Sequence, residues 1–446
     1  MHRRLWASGP LLLLIFFVCV LFPRPAQAIP AFARKYETSC QTCHVAFPKL
    51  TPFGEAFRLN GLRFPEGGDA TAEKVEPLSL GNAAQADRWP KVVYPGAIPA
   101  SFPASLVLSG TLGYGTAFES HEHGAHDEME DMEVTEEEHD HSYMLDASTL
   151  VDMFGLRVAG TLGDHVAVFG AVNLGGHAVV EVERASVLFT PFQRPTDLRI
   201  KVGAFEPELH GVSIHRGLTG HMLRLTTSMV GEDSFMPEPS KTGLEVSGVA
   251  AHRVGWYVGG VENATPDVYV AKDVYGRASW KIGGMPLDGS GGVSSTAAWR
   301  ERAITLGASG WNGRAQIVTT DVTQDDTFTR IGADTHVIFD DVSLDVVAAR
   351  QWNTSPHAGD VADAVTDFGY AELTWVVLPV VFPTVRAEVS RTGEASPEGY
   401  SPWLVLGVLN GVVRPNVLLR ATAGFGADEA DHTQLRVVTL AYATAL

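Results

Sequence analysis

From about residue 104 to its end, this chain is written in short segments of alternating polarity separated by turn signals. A period of two belongs to β-strands with two chemically different faces, not to helices. In Ser105–Phe118, Val107, Ser109 and Thr111 alternate with Leu108, Gly110 and Leu112. About 16 or 17 such segments run to Leu446, among them Ala303–Trp311 and Arg314–Asp321. Gly163-Asp164, Asn312-Gly313, Asp340-Asp341 and Arg414-Pro415-Asn416 are tight joints, and Asn-Gly predicts a hairpin turn. At ~10 residues per strand, with short turns alternating with long loops, residues 104–446 hold about 16 antiparallel strands.

Closing such a sheet removes its edges. The expected fold class is therefore mainly β: a transmembrane β-barrel with a small helical N-terminal unit. A soluble β-rich protein, built of tandem sandwiches or a propeller, is the alternative. No repeat of fixed period supports a propeller. In the last segment Val438, Leu440, Tyr442 and Leu446 share one face, interrupted by Arg436 and Thr444 and lacking a terminal aromatic.

The N-terminus reads as a cleaved signal peptide. Arg3 and Arg4 precede an apolar core at Leu11–Leu21, and Ala26-Gln27-Ala28 is a small-residue cleavage site before Ile29. Export and a barrel together place the protein in the outer membrane, in contact with its lipid. Elsewhere no apolar run reaches the length of a membrane-spanning helix. A net charge of −19 excludes a nucleic-acid partner and is compatible with attracting cations.

Of three cysteines, Cys19 lies in the signal peptide. The other two stand in Cys40-Gln41-Thr42-Cys43-His44, the C-x-x-C-H signature of covalent haem attachment. Thiols one helical turn apart reach the two vinyl groups of one porphyrin, and the following histidine reaches the iron. Cys40, Cys43 and His44 are thus the expected cofactor-binding residues for one haem c, with His44 the proximal ligand. A redox dithiol, a disulfide or half a zinc site are the other uses of such a pair. The first lacks a thioredoxin-like setting and the last a second ligand pair.

Residues 29–66 form the haem segment. Pro30 opens a helix through Ala33, Arg34 and Tyr36; Thr51 is an N-cap, Pro52 an N1 residue and Asn60-Gly61 a stop. Phe53, Ala56 and Phe57 share a face that is either a small core stripe or, with a porphyrin next door, a surface expected to pack on the haem. The segment holds no methionine and no second histidine, so a distal ligand must come from elsewhere. It is also too short to hold a core unaided and is expected to dock on the rest of the chain. Residues 67–103, rich in Gly, Ala and Pro, form a linker between the segment and the barrel at 104–446.

C-x-x-C-H, followed by Phe47-Pro48-x-Leu50-Thr51-Pro52-Phe53-Gly54 and Phe57-x-Leu59-Asn60-Gly61, resembles the N-terminus of the fused monohaem cytochrome–porins. These are outer-membrane proteins associated with extracellular iron oxidation. The match covers residues 29–66. It implies a haem-bearing plug joined to an outer-membrane barrel, and it carries over Cys40, Cys43 and His44.

Two further stretches carry ligand-type side chains. Residues 119–142 hold His121, His123, His126, His139 and His141 among eleven carboxylates. So dense a charge solvates the segment as an acidic loop on the outer face, and its donors suit weak capture of divalent metal cations. Residues 206–240 resist a strand reading and carry His210, His215, His221 and Met222. Their length and moderate hydrophobicity suggest a loop folded into the lumen that meets the haem and supplies the distal ligand.

The function expected from these features is electron transfer between an extracellular metal ion donor, such as ferrous iron, and a periplasmic electron-carrier protein, which would make the chain an iron(II) oxidase or an electron-transfer protein. The alternative is a porin-like solute or cation channel with a structural or redox-sensing haem.

Overall fold

The computed structural model describes residues 31–65, short stretches at 78–79 and 97–98, and most of 103–445. Residues 1–30, 66–77, 80–96, 99–102, 116–143, 147–152, 176–179, 221–222, 232, 263–271, 292–297, 319–322, 360–361, 394–401, 415–416, 428–433 and 446 lie outside this description.

The barrel opens with β1 (Ala104–Gly115). Both Met144–Asp146 and Met153–Leu162 pair with β1, the former near its far end and the latter near its start. They occupy one position in the wall, β2. The wall continues through β3 (Val166–Gly175), β4 (Val180–Phe189), β5 (Arg199–Phe205), β6 (Lys241–Ala250), β7 (Val254–Glu262) and β8 (Lys272–Gly283). It ends with β9 (Glu301–Val318), β10 (Thr323–Asp340), β11 (Val342–Asn353), β12 (Ala364–Trp375), β13 (Val381–Gly393), β14 (Trp403–Arg414), β15 (Val417–Ala427) and β16 (Gln434–Ala445). Each strand is antiparallel to its neighbours. β16 returns to β1 in the register Ala445↔Val107 to Val437↔Gly115, which closes a barrel of 16 positions.

The predicted hairpin at Asn312-Gly313 is absent. Both residues lie inside β9, an unbroken strand paired to β8 and β10. Gly313 serves closeness rather than a turn, because a Cβ there would enter the ring of Phe328. Real turns occur where positive φ is needed, at Gly163 (φ 60°) and Asp340 (φ 52°).

The alternation of the strands sets the chemistry of the wall. On β10, Asp326, Arg330 and Asp334 are buried toward the lumen while Ile331 and Phe339 are exposed. On β13, Arg386 and Glu388 point in and Val385 and Val389 out. Charge inside and hydrocarbon outside invert a soluble barrel and match a membrane-spanning one. Exposed aromatics form two belts: Trp280, Phe339 and Trp375 toward the short-turn end, and Trp352, Trp403 and Phe425 toward the other. No helix among the described residues is long and apolar enough to cross a membrane; the strands do the crossing.

Candidate functional site

Three short helices build the N-terminal segment: α1 (Ala31–Tyr36), α2 (Cys40–Cys43) and α3 (Pro52–Leu59). Ser39 caps α2 by accepting from the Gln41 amide. The backbone amide of Thr51 donates to the Cys43 carbonyl at 2.9 Å, and its hydroxyl donates to the Thr42 carbonyl at 2.9 Å. The same oxygen accepts from the Gly54 amide at 3.0 Å, capping α3. A Cβ at Gly54 would collide with the Cys43 carbonyl, so the glycine lets α3 lie directly on the cysteine turn.

Cys40 and Cys43 are free thiols. Burial, and then the neighbouring Cys40, push Cys43 up to about 12, and burial also raises Cys40. Both are held as thiols, the opposite of what a redox dithiol needs. His44 pairs its Nδ1 with the Pro48 carbonyl at 3.3 Å. Burial lowers its pKa despite that bond, so the imidazole is neutral, the form that can ligate a metal. Uncrosslinked thiols one turn apart beside such an imidazole fit a covalently attached haem.

Phe53, Ala56 and Phe57 do not face outward from this site. Phe57 meets Phe32, Tyr36 and Phe64 edge-on at centroid distances of 5.0, 5.8 and 6.0 Å, and Phe53 meets Phe64 at 5.1 Å. The stripe is the core of the segment itself. A helix of eight residues has one apolar face, and the edge-to-face cluster uses it.

The segment spans the short-turn mouth of the barrel from wall to wall. Arg34 donates to the Ala104 carbonyl and Arg63 to those of Gly163 and Val166, on β1 to β3. On β5, Arg199 donates to the Leu59 carbonyl. Asn60 bonds the Asp288 carbonyl in the β8–β9 connection, and Gln41 that of Pro379 between β12 and β13. Lys49 reaches Asp345 on β11 at 3.4 Å and Glu372 on β12 at 3.3 Å. Residues 206–240 enter the lumen from the opposite end and meet the segment. Leu218 packs with Val45, Ala46 and the wall residues Phe382, Val412 and Leu418. Glu208 receives both Arg58, at 2.9 Å, and Arg216, at 2.9 Å.

The candidates in this loop have separate surroundings. His215 is held at both nitrogens, by Glu206 at 2.6 Å and Glu183 at 2.9 Å. His210 is buried against Ser309 and Gly332, and burial, then Arg330 and Arg277, lower its pKa well below the usual range. His221, Met222, His121, His123, His126, His139 and His141 lie outside the described residues. Among the described residues no three His, Cys, Asp or Glu side chains gather as a metal site.

Sequence reasoning missed Lys49, Arg58, Glu208 and the lumen charges on the wall. The available signal was charge recurring two residues apart on strand faces, as in Arg386 and Glu388.

No protein-family model and no curated protein matches this chain. Solved structures do. The outer membrane channel DcaP of Acinetobacter baumannii aligns over 77% of this chain and 97% of its own, with 10% identity and a TM-score of 0.50. An anion-selective porin from Comamonas acidovorans aligns over 77% and 98%, with 10% identity and a TM-score of 0.52. OmpF of Salmonella typhi in complex with daunomycin aligns over 78% and 98%, with 11% identity and a TM-score of 0.50. At such identities the likeness concerns the fold, which is that of a porin-like barrel.

Proposed function

We propose that this chain is an outer-membrane barrel of porin type whose short-turn mouth is filled by a c-type haem segment. Its task is to carry electrons between an extracellular donor, such as ferrous iron, and a periplasmic electron carrier. The fold likeness backs the coarser part of this reading, a porin-like outer-membrane barrel. The haem and electron-transfer part rests on one observation: C-x-x-C-H lies on a segment packed across the barrel mouth.

A solute needs an open path through the lumen, whereas an electron needs a redox centre held inside the wall. Residues 31–65 and 206–240 occupy the lumen and leave the C-x-x-C-H turn at its mouth. When bound, haem c supplies one-electron chemistry. Cys40 and Cys43 would tether it, His44 would ligate its iron, and Pro48 and Thr51 fix the orientation of that turn.

The second reading is a porin-like channel, and the resemblance to porins favours it directly. One preparation separates the two. Purified protein with a covalent haem spectrum that ferrous iron reduces, and that conducts little in planar bilayers, supports the conduit. Haem-free protein with a steady ionic conductance overturns it in favour of the channel.

A further inference from the structure

His210 and Arg330 are the two strangest side chains in the lumen. Both are almost wholly buried, at 2% and 1% exposure, and each keeps a nitrogen without a partner: Nε2 of His210 and Nε of Arg330. Buried donors without an acceptor are uncommon and call for an explanation.

The barrel register sets Arg330 two residues from the glycine that the His210 ring covers. Arg277, Ser309 and Gly332 form one row across β8, β9 and β10. The His210 ring lies over that row. Its Nδ1 is 3.5 Å from Ser309 Oγ, and a Cβ at Gly332 would come within 2.7 Å of its Cε1. Arg330 precedes Gly332 by two residues on the same inward face, ~7 Å along the strand.

Among the described residues Arg330 has no carboxylate partner. Its Nη atoms donate to neutral acceptors: the Leu225 carbonyl, Gln351 Oε1 at 3.2 Å and Ser228 Oγ at 3.5 Å. The guanidinium lies over the rings of Phe235 and Phe368, at 4.4 and 4.2 Å. The nearby acids bond to other groups, and Asp233 keeps one oxygen, Oδ1, without a partner. Asp334 is bound by Arg277. Asp233 and Asp326 share Asn353, which reaches Arg330 only through Gln351. The imidazole beside it is neutral, since burial and the two arginines keep it unprotonated. Where Nδ1 accepts from the Ser309 hydroxyl, the ring proton sits on Nε2.

We propose that His210 Nε2–H and Arg330 Nε–H bind one small monovalent anion of the halide class inside the barrel. One anion supplies an acceptor to both stranded donors and a counter-charge to a buried guanidinium that otherwise has none. The site rests on the loop–wall packing and stands whether the barrel carries electrons or solutes.

The test uses the full-length protein in detergent. Its unfolding midpoint is followed as chloride replaces gluconate at constant ionic strength. The wild type is expected to gain stability along a saturating curve, as linkage to a site in the folded state requires. His210→Phe and Arg330→Met should each raise the half-saturating chloride concentration roughly tenfold or more. Arg330→Lys, which keeps the charge and loses Nε–H, should also weaken binding. The slope against chloride is the readout, so a substitution that merely lowers stability does not imitate the effect. If Arg330→Met yields no folded barrel by heat-modifiable migration, His210→Phe alone decides. A flat wild-type curve, meaning that the two donors hold water only, overturns the proposal. So does an unaltered chloride dependence in His210→Phe.

Discussion

Thr51 holds the cysteine turn in place through three hydrogen bonds, although its own chemistry is inert. It joins Thr42 and Cys43 to Gly54, and it is completely buried. Thr51→Val keeps the shape and strands the Gly54 amide and the Thr42 carbonyl, at a cost of ~1–3 kcal/mol. Thr51→Ser keeps the hydroxyl. The expected outcome is less covalently retained haem per barrel in the valine variant and near-normal retention in the serine variant, read from haem staining on a denaturing gel. Equal retention in both would show that the turn does not depend on this hydroxyl. Gly54→Ala acts on the same turn from the other side. Its methyl meets the Cys43 carbonyl, which must move, and overpacking of this kind costs ~1–3 kcal/mol. On the proposed reading of a haem held by His44, a shifted optical spectrum is the expected sign, and a wild-type spectrum would refute it.

Among the elements, the loop at 206–240 has a grip that changes with pH. Burial alone would lower His215, but its bonds to Glu183 and Glu206 outweigh that and raise it above 6.5. Its contribution is therefore full below pH 6.5 and lost as pH rises through the raised value. Burial, then Glu206, push Glu238 up to about 7, so its contribution too is present below pH 4.5 and fades toward pH 7. Glu206 opposes them in acid. The His215 bonds outweigh its burial and hold it at about 2, so its contribution is present above pH 4.5 and lost as pH falls toward 2. Hydrogen exchange in 206–240 should accelerate as pH rises above 6.5, and His215→Gln should flatten that profile. A wild-type profile with no step beyond the intrinsic base-catalysed slope would sink the argument. How much of this was legible follows from range. The strands, the cap at Thr51 and the intrusion of this loop are written in local pattern, length and hydrophobicity. The partners of His215 are not, because Glu206 and Glu183 lie 9 and 32 residues away and only the fold brings them together. Asn312-Gly313 misled for a related reason: two residues that favour a turn in isolation lie inside β9, Asn312 paired on both sides and Gly313 with Phe328 of β10.

At the scale of the whole molecule, the barrel and its N-terminal segment are tied by charge as well as by packing. Lys49 lies between Asp345 and Glu372 of the wall, and Arg58 reaches Glu208 of the lumen loop. Removing one partner of a buried pair leaves the other charged and desolvated, at a cost of ~3–5 kcal/mol. Lys49→Met combined with Arg58→Met takes the lysine from Asp345 and Glu372 and one of two arginines from Glu208, and should loosen the segment, while the hydrogen-bonded wall keeps its closure. The consequence is an opening. In planar bilayers the wild-type barrel is expected to conduct weakly and the double variant several-fold more, with open states of porin character. Folding of both is checked by heat-modifiable migration, so a collapsed barrel is not mistaken for a closed one. If the wild type already conducts like the double variant, residues 31–65 do not obstruct the lumen, and the channel reading gains what the conduit reading loses. A silent wild type and a conducting variant would mean that one wall serves both as insulation around a tethered centre and as the pore revealed when the tether fails.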